Sequence, residues 1–504
     1  MRWLAIVASF GGLMLLGGFA RTFSKPTSEF QFSVQDDAPR LADGRIDFLA
    51  KLNRSLGDGV SPEDNAVVAL LDVFGMRALK GIDQETFSRE LGLKQVPNVR
   101  PLFVTWKEQA ETLGFSPGSP AYVQWGESIE YTCQELWTAE GFPDVDGWIE
   151  VNQQAVAQVV NASQRPRFYF PLFPPKNGPE GESNVRMLEM SLEFHEEIKE
   201  IGRVLVIRAL RQLAADDIDS AIRDIQTARR LASLQTQSLT TLELLISMNL
   251  SRMALGAEIK LLQSGKLSLE QCQAYRRFLT ENPLKLELPK RFVSAERFLY
   301  LDAIQTLERG EAANLNFRLK LTDLDLAVFE QRASSYDSFA QAWAEPNDRA
   351  RLEQVQEMEA ELNKAVNSSR DIGRMAAAFL STKARSRMVA DMLLATVAPT
   401  YSVLADIEIR QYTSRDLLEV ALAMEMYRLA NGKFPESLPE LHPEYLREIP
   451  KDRYTDQPLA YRRIGAGYRL YSVGKNQKDD LGQTQSDSEN ADDWGIAIGL
   501  RTAD

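Results

Sequence analysis

Two histidines are the only imidazoles that this chain could use for metal binding or proton transfer. His195 lies among glutamates in the stretch LEFHEEIKE, a composition found in metal and acid–base clusters. However, no second histidine follows four residues later and no glutamate precedes it by three residues. Neither the zinc-protease nor the di-iron helix pattern is therefore present. We interpret His195 as a histidine on a helix surface and His442, in a proline-rich connector, as structural.

Motifs for other chemistries are also missing. We find no P-loop, no dinucleotide fingerprint and no nucleophile elbow set between a strand and a helix. Carboxylate pairs are plentiful because the chain has 71 acidic residues, but no context singles out one pair. We therefore predict no catalytic residue, and we keep a carboxylate-dependent hydrolase as an alternative.

Composition excludes several classes of protein. The net charge is −13 and no basic block compensates for it, so we expect no nucleic acid as a partner. Cys133 and Cys272 are the only cysteines, too few for a disulfide-stapled scaffold or a thiolate metal site. They could form one disulfide or remain two buried thiols. An apolar content of 44% is enough for a large core.

The first 25 residues have the pattern of a membrane-targeting segment. Trp3 to Ala20 carries no charge and would span about 27 Å as a helix, close to the thickness of a bilayer core. We predict that residues 1–25 anchor the protein in a bacterial inner membrane, with the body outside the cytoplasm. Gly18 and Ala20 leave a second hypothesis open, a signal cleaved near Ala20 and a secreted or periplasmic product. Residues 26–60 are predicted to be a tether.

The rest of the chain predicts a mainly α fold, a repeat-like helical array of αα-hairpins. Residues 61–185 form an N-terminal helical region, which we expect to begin after Ser61, where an N-cap residue, a proline and acidic residues precede an apolar run. Residues 186–400 form the array, with a turn at 214–219 and further helices at 239–263 and 268–280.

Residues 164–183 interrupt this pattern with five prolines. This stretch is too rich in proline for a helix and is predicted to be an extended segment wrapped around the helical body. Its aromatic residues are expected to anchor it in the core, and a groove for a peptide or ligand is the alternative. These residues are Phe168, Tyr169, Phe170 and Phe173.

Residues 401–504 are predicted to form a small α+β module. A helix opening at Asp416 ends at Asn431-Gly432, and a proline-rich connector follows. The stretch LAYRRIGAGYRLYSVG alternates around Gly465 and Gly467 as a β-hairpin, and WGIAIGL supplies a third antiparallel strand.

Over some 85 residues this module resembles the globular domain of the type II secretion major pseudopilins. The residues that carry the resemblance are Tyr427, Asn431-Gly432, Phe434-Pro435, Leu438, Leu441, Ile449-Pro450, Asp452, Pro458, Tyr461, Tyr471 to Gly474 and Gly482. The whole chain also resembles large uncharacterised exported bacterial proteins that end in this module. The N-terminus lacks the processing site of pseudopilins, so we do not expect assembly as an ordinary pilus subunit.

The resemblance also implies a calcium site, because the loop before the last strand can bind calcium in that family. The matching loop of this chain offers carboxylates, the hard oxygen ligands that Ca²⁺ prefers. They are Asp479, Asp480, Asp487, Asp492 and Asp493. The loop lacks the usual Asp-Gly pair and has Asn476-Gln477 instead, so a solvated acidic loop is the alternative.

These observations favour a non-catalytic, envelope-anchored interaction or scaffold protein whose helical body meets protein partners. An accessory component of a type II secretion or pilus-like system is the second hypothesis, because of the module.

Overall fold

The structure, a computed structural model, describes residues 38–42, 44–96, 100–173, 187, 190–308, 325–368, 377–378, 380–397, 401–484 and 491–499. It confirms a mainly helical fold with a small C-terminal sheet. The N-terminal helices are α1 Phe48–Gly57, α2 Ala66–Phe74, α3 Gln84–Glu90, α4 Trp106–Thr112, α5 Pro120–Thr132, α6 Pro143–Val151 and α7 Gln153–Ala162. The array contains α8 Glu193–Ala214, α9 Ile218–Gln235, α10 Thr241–Gln263, α11 Leu269–Glu281, α12 Leu288–Arg291 and α13 Arg297–Glu308. It continues with α14 Leu326–Ala333, α15 Ser335–Ala342, α16 Asp348–Ser368, α17 Thr382–Val397 and α18 Tyr401–Asn431.

The predicted αα-hairpin is confirmed. Helix α8 ends at Ala214 and α9 begins at Ile218, with Asp217 capping α9 by accepting from Ser220 N at 3.2 Å. Helix α10 packs against both, and it approaches α8 so closely that a Cβ on Gly202 would lie 2.4 Å from a methyl carbon of Leu250. A larger residue at 202 would therefore force the buried Leu250 side chain to move.

The tether prediction is wrong for its last part. Helix α1 lies inside residues 26–60, and Asp47 caps it by accepting from Ala50 N at 3.0 Å. Phe48, Leu49 and Leu52 are buried on one face, with the Phe48 ring 5.2 Å from that of Phe298. This face spans little more than one helical turn, which is why its periodicity was too short to stand out.

The predicted helix start after Ser61 is also wrong. Residues 62–64 form a turn, and α2 begins at Ala66 with Asn65 as its cap. Asn65 Oδ1 accepts from Val67 N at 3.2 Å. The cap is therefore Asn65, which is buried and has further partners in the fold, and not the half-buried Ser61.

The C-terminal strands are β1 Ala460–Ile464, β2 Gly467–Ser472 and β3 Trp494–Ile498, paired antiparallel in the order β1-β2-β3. The predicted hairpin is confirmed, with Gly465 in the left-handed region at φ +59°. Helix α18 packs against the sheet on one side and against α10 and α11 on the other. One continuous apolar core therefore joins the sheet to the helical array and to α2.

Candidate functional site: a basic cleft

The acidic loop of the C-terminal module lies beside strands β1 and β2. Asp479 is held by neighbours within the module, since Arg462 Nη2 donates to its Oδ2 at 2.6 Å and Tyr471 OH donates to its Oδ1 at 2.8 Å. Asp480 Oδ2 accepts from Asn476 Nδ2 at 2.9 Å. These two carboxylates therefore organise the loop itself.

Two further carboxylates of the loop are less exposed. Asp492 Oδ2 accepts from Lys475 N at 3.2 Å, and Asp493 Oδ2 accepts from Gly482 N at 2.7 Å. The Oδ1 atom of each is buried without a hydrogen-bond partner among the described residues, and burial raises both pKa values. Asp487 lies outside the described residues. Within the described ranges no group of three or more acidic, histidine or cysteine side chains could hold a metal ion, so calcium binding stays a prediction.

The interpretation of His195 as a surface residue is wrong. Its side chain is 1% exposed, and its Nε2 lies 3.2 Å from Glu243 Oε1. Burial is the largest influence on its pKa and lowers it, although the charge of Glu243 acts in the opposite direction. The ring packs against Phe168 and Phe170, with centroids 5.6 and 5.8 Å away. The extended segment therefore covers this histidine. His442 is exposed in its connector.

Cys133 and Cys272 do not form a disulfide. They are two separate, buried thiols, which was the second of the two alternatives that the sequence left open. Burial raises the pKa of each to about 12. Thiolate chemistry at neutral pH is therefore strongly disfavoured at both.

One serine, Ser116, matches the letters of a nucleophile elbow. Gly114 to Gly118 read G-x-S-x-G around Ser116. They form an exposed turn between helices α4 and α5, whereas a nucleophile elbow follows a strand. The sequence match therefore lacks the structural context that the chemistry needs.

A cleft of about 620 Å³ lies between the N-terminal region and the helical array. Its walls come from the end of α1, residues 163–168 between α7 and the extended segment, the end of α9, and residues 281–290, which lead from the end of α11 into α12. Its basic lining residues are Arg165, Arg167, Arg230, Lys285 and Lys290, and its acidic ones are Glu281 and Glu287. The surplus of basic over acidic side chains contrasts with the net charge of −13 for the chain.

The extended segment forms one wall of this cleft and is tied down by two asparagines. Asn65 Nδ2 donates to Tyr169 O at 2.9 Å, and Asn65 Oδ1 accepts from Tyr169 N at 3.0 Å. Asn53 makes the same pair of contacts with Leu172, at 2.9 and 2.7 Å. Each carboxamide thus satisfies the backbone N–H and C=O groups of one residue, as a neighbouring strand would in a sheet. Phe168, Tyr169 and Phe170 are buried, which confirms the prediction that they anchor the segment in the core, and Phe173 is half-buried against the same core.

The basic side chains differ in how they are held. Arg165 Nη1 donates to Pro62 O and Asn65 O, both at 2.9 Å, so its guanidinium is fixed in the wall. Arg230 lies 4.9 Å above the Phe278 ring, and burial lowers the pKa of its guanidinium. Lys285 is exposed. Within the described part of the chain, neither Arg230 nor Lys285 has a carboxylate partner.

The C-termini of helices offset part of this positive charge. Helices α1, α7, α9 and α11 all end at the cleft, and a helix C-terminus carries about half a negative charge. Four such ends would offset about two positive charges. The five basic and two acidic side chains leave a surplus of three, so the cleft keeps a net attraction for anions.

The sequence does not predict this site, because the residues that line the cleft share no regular spacing along the chain. Arg229 and Arg230 are neighbours on α9, yet Arg229 is 8% exposed and bonds Glu258, whereas Arg230 lines the cleft. Lys285 lies in an irregular connector some 55 positions further along. The only sign of the cleft in the sequence is a set of basic residues near predicted helix ends.

Among the helices of the described ranges, none has both the length and the apolar character needed to cross a membrane. Trp3 to Ala20 falls outside those ranges. Comparison of the chain with protein-family models, curated proteins and solved structures finds no match.

Proposed function

We propose that this protein is a non-catalytic interaction protein of the bacterial envelope that binds an anionic partner in the basic cleft. The observation that carries this proposal is the surplus of positive charge in a 620 Å³ cleft of an acidic protein. Cavities of this size are typical of ligand sites. The targeting segment at residues 1–25 supports a position at the membrane with the body outside the cytoplasm.

Arg230 and Lys285 are the strongest candidates to contact the partner. Both line the cleft, and neither has a carboxylate partner among the described residues. A bound anion would favour the charged form of Arg230, whose pKa burial lowers. Binding through these residues would weaken as ionic strength rises, since screening acts on the exposed Lys285 in particular.

Thermal shift and calorimetry of the full chain test this proposal with three chemically different anions, namely pyrophosphate, hexaglutamate and trigalacturonate. We expect at least one to bind at low salt and to bind on the order of tenfold more weakly to Lys285→Gln, as loss of a charged hydrogen bond predicts. The double variant Arg230→Gln/Lys285→Gln should bind more weakly still.

A matched control removes the same charge elsewhere. Lys80 and Lys94 are exposed and do not line the cleft, so Lys80→Gln/Lys94→Gln should leave binding unchanged. If no anion binds to the folded protein, or if both double variants weaken binding equally, the proposal is wrong.

The order of a long helix, a connector and a three-stranded antiparallel sheet favours a second candidate, an accessory role in a type II secretion or pilus-like system. Crosslinking in cells tests it through residues on the exposed edge of the module, such as Lys451. Recovery of no secretion component would argue against this role.

A further inference from the structure

The buried imidazole of His195 lies behind a residue that lines the basic cleft. Phe168 is part of the cleft lining, and its ring centroid lies 5.6 Å from that of His195. The ring of Phe170 packs against the same imidazole at 5.8 Å. These aromatic side chains of the extended segment therefore help to keep water from His195, whose side chain is 1% exposed.

This environment suits a neutral imidazole better than a charged one. Neither ring nitrogen makes a hydrogen bond among the described residues, although Nε2 lies 3.2 Å from Glu243 Oε1. A protonated ring carries an N–H donor on each nitrogen, and Glu243 can accept from Nε2 only. The Nδ1–H donor would then be buried without an acceptor, which is unfavourable.

The charged groups around the ring do not compensate for its burial. Burial has the largest effect and lowers the pKa of His195, although Glu243 from α10 and Glu196 from α8 favour the protonated form. Arg291 from α12 interacts electrostatically with Glu243. Helix α9 contributes the neutral Gln235, whose Nε2 donates to His195 O at 3.3 Å, and the ring contacts of the extended segment carry no charge. Below about pH 6.5, a conformation that exposes the ring to water therefore binds a proton that the packed conformation does not.

The extended segment can move away from His195 without the loss of any helix. It is held to the body by three side-chain amides, which accept from backbone N–H groups within residues 168–172. They are Gln237, Asn65 and Asn53, at 3.0, 3.0 and 2.7 Å from the N–H nitrogens of Phe168, Tyr169 and Leu172. Displacement of the segment breaks these few hydrogen bonds and uncovers the imidazole, whereas separation of α8 from α9 or α10 would disrupt the core of the array.

We infer that His195 is a pH-sensitive latch: its protonation displaces residues 168–172 and removes Phe168 from the lining of the basic cleft. The consequence for a bound anion rests on the proposed function. An anion that needs this wall binds only when the segment is closed, so acidification and the anion act in opposite directions on one equilibrium.

Hydrogen exchange of the full chain, read by mass spectrometry on peptides that cover residues 168–172, tests the latch. Protection factors divide out the intrinsic effect of pH on exchange, so they report the population of the open segment. For the wild type we expect them to fall by up to about tenfold per pH unit below pH 6.5, or on the order of 30-fold at pH 5.0. His195→Gln and His195→Phe lack the titrating group and should show no such fall.

His442→Gln is the matched control, because it removes the other histidine, which is exposed, and should behave as the wild type. Unchanged protection in the wild type, or the same fall in both His195 variants, would overturn the inference. An equal fall in peptides from the middle of α9 would also overturn it, since global unfolding and not movement of the segment would then be the cause.

A second experiment links the latch to the cleft. At pH 5.5, pyrophosphate at ten times its Kd should raise the protection of residues 168–172 about tenfold in the wild type. Binding of pyrophosphate without this rise would overturn the role of the segment in the cleft. If neither pyrophosphate nor the other two anions bind, the proposed function is wrong, whereas the pH dependence of exchange still decides the latch.

Discussion

Replacement of Asn65 by alanine is the most informative perturbation of this fold. The Asn65 carboxamide binds both backbone groups of Tyr169 and caps α2 through Val67 N. Asn65→Ala therefore removes three hydrogen bonds and leaves the N–H and C=O groups of Tyr169 buried without those partners. Asn65 itself is 1% exposed, so water cannot easily replace it.

The loss in free energy of unfolding can be estimated from the hydrogen bonds that Asn65→Ala removes. Loss of an asparagine cap costs about 1 kcal/mol. Each buried backbone group left without a partner costs about 1–3 kcal/mol, and partial relaxation reduces this. We expect the free energy of unfolding to fall by about 3 kcal/mol. At roughly 2.1 cal/mol/K of unfolding entropy per residue, a body of about 450 residues that unfolds as one unit would lose about 3 °C in Tm.

Differential scanning calorimetry measures this change, and ligand binding measures its consequence for the cleft. Tyr169 directly follows the cleft wall, so a loosened segment should also weaken binding of an anion. Asn161→Ala is the control, because Asn161 is exposed at the end of α7. Equal Tm values for Asn65→Ala and the control would refute the reasoning that Asn65 holds the segment.

Three further predictions concern other buried groups. Burial lowers the pKa of His195, so below about pH 6.5 the unfolded chain binds a proton that the folded chain does not. Stability should therefore fall by up to about 1.4 kcal/mol per pH unit as the pH decreases from there. Calorimetry at pH 7.0 and 5.5 should show a smaller loss of Tm for His195→Gln than for the wild type. Arg229→Met leaves the Glu258 carboxylate buried without its cation and should cost about 3–5 kcal/mol in chemical denaturation. The resemblance of the acidic loop to that of the pseudopilins predicts Ca²⁺ binding, which titration calorimetry would detect and which Asp492→Asn should weaken, because Asp492 Oδ1 is buried without a donor among the described residues.

Each of these has a result that would contradict it. An equal loss of Tm for wild type and His195→Gln would remove His195 as the cause. The double variant Arg229→Met/Glu258→Leu should be more stable than Arg229→Met alone, and a less stable double variant would show that the lost packing dominates. Absence of heat on adding Ca²⁺ would leave the loop as a solvated acidic loop.

The sequence by itself determined most of the regular elements of this protein, although not α1 or the start of α2. Apolar spacing at 3.6 residues marked helices α8 to α11, and alternation around Gly465 marked the hairpin, because periodicity is a local property that burial of one face imposes on neighbouring residues. The anchoring of Phe168 and Tyr169 was also predictable, since aromatic side chains in a proline-rich stretch have few other ways to leave water.

Only the tertiary structure decided where polar side chains point. No motif in the sequence indicated a buried role for His195, yet the segment at 168–170 covers it from another part of the chain. Arg230 and Lys285 line one cleft because two helix ends and a connector converge there. Such a meeting depends on the packing of elements far apart in sequence, and no local spacing encodes it. The helices could therefore be predicted from their residues, whereas the cleft exists only once they are packed.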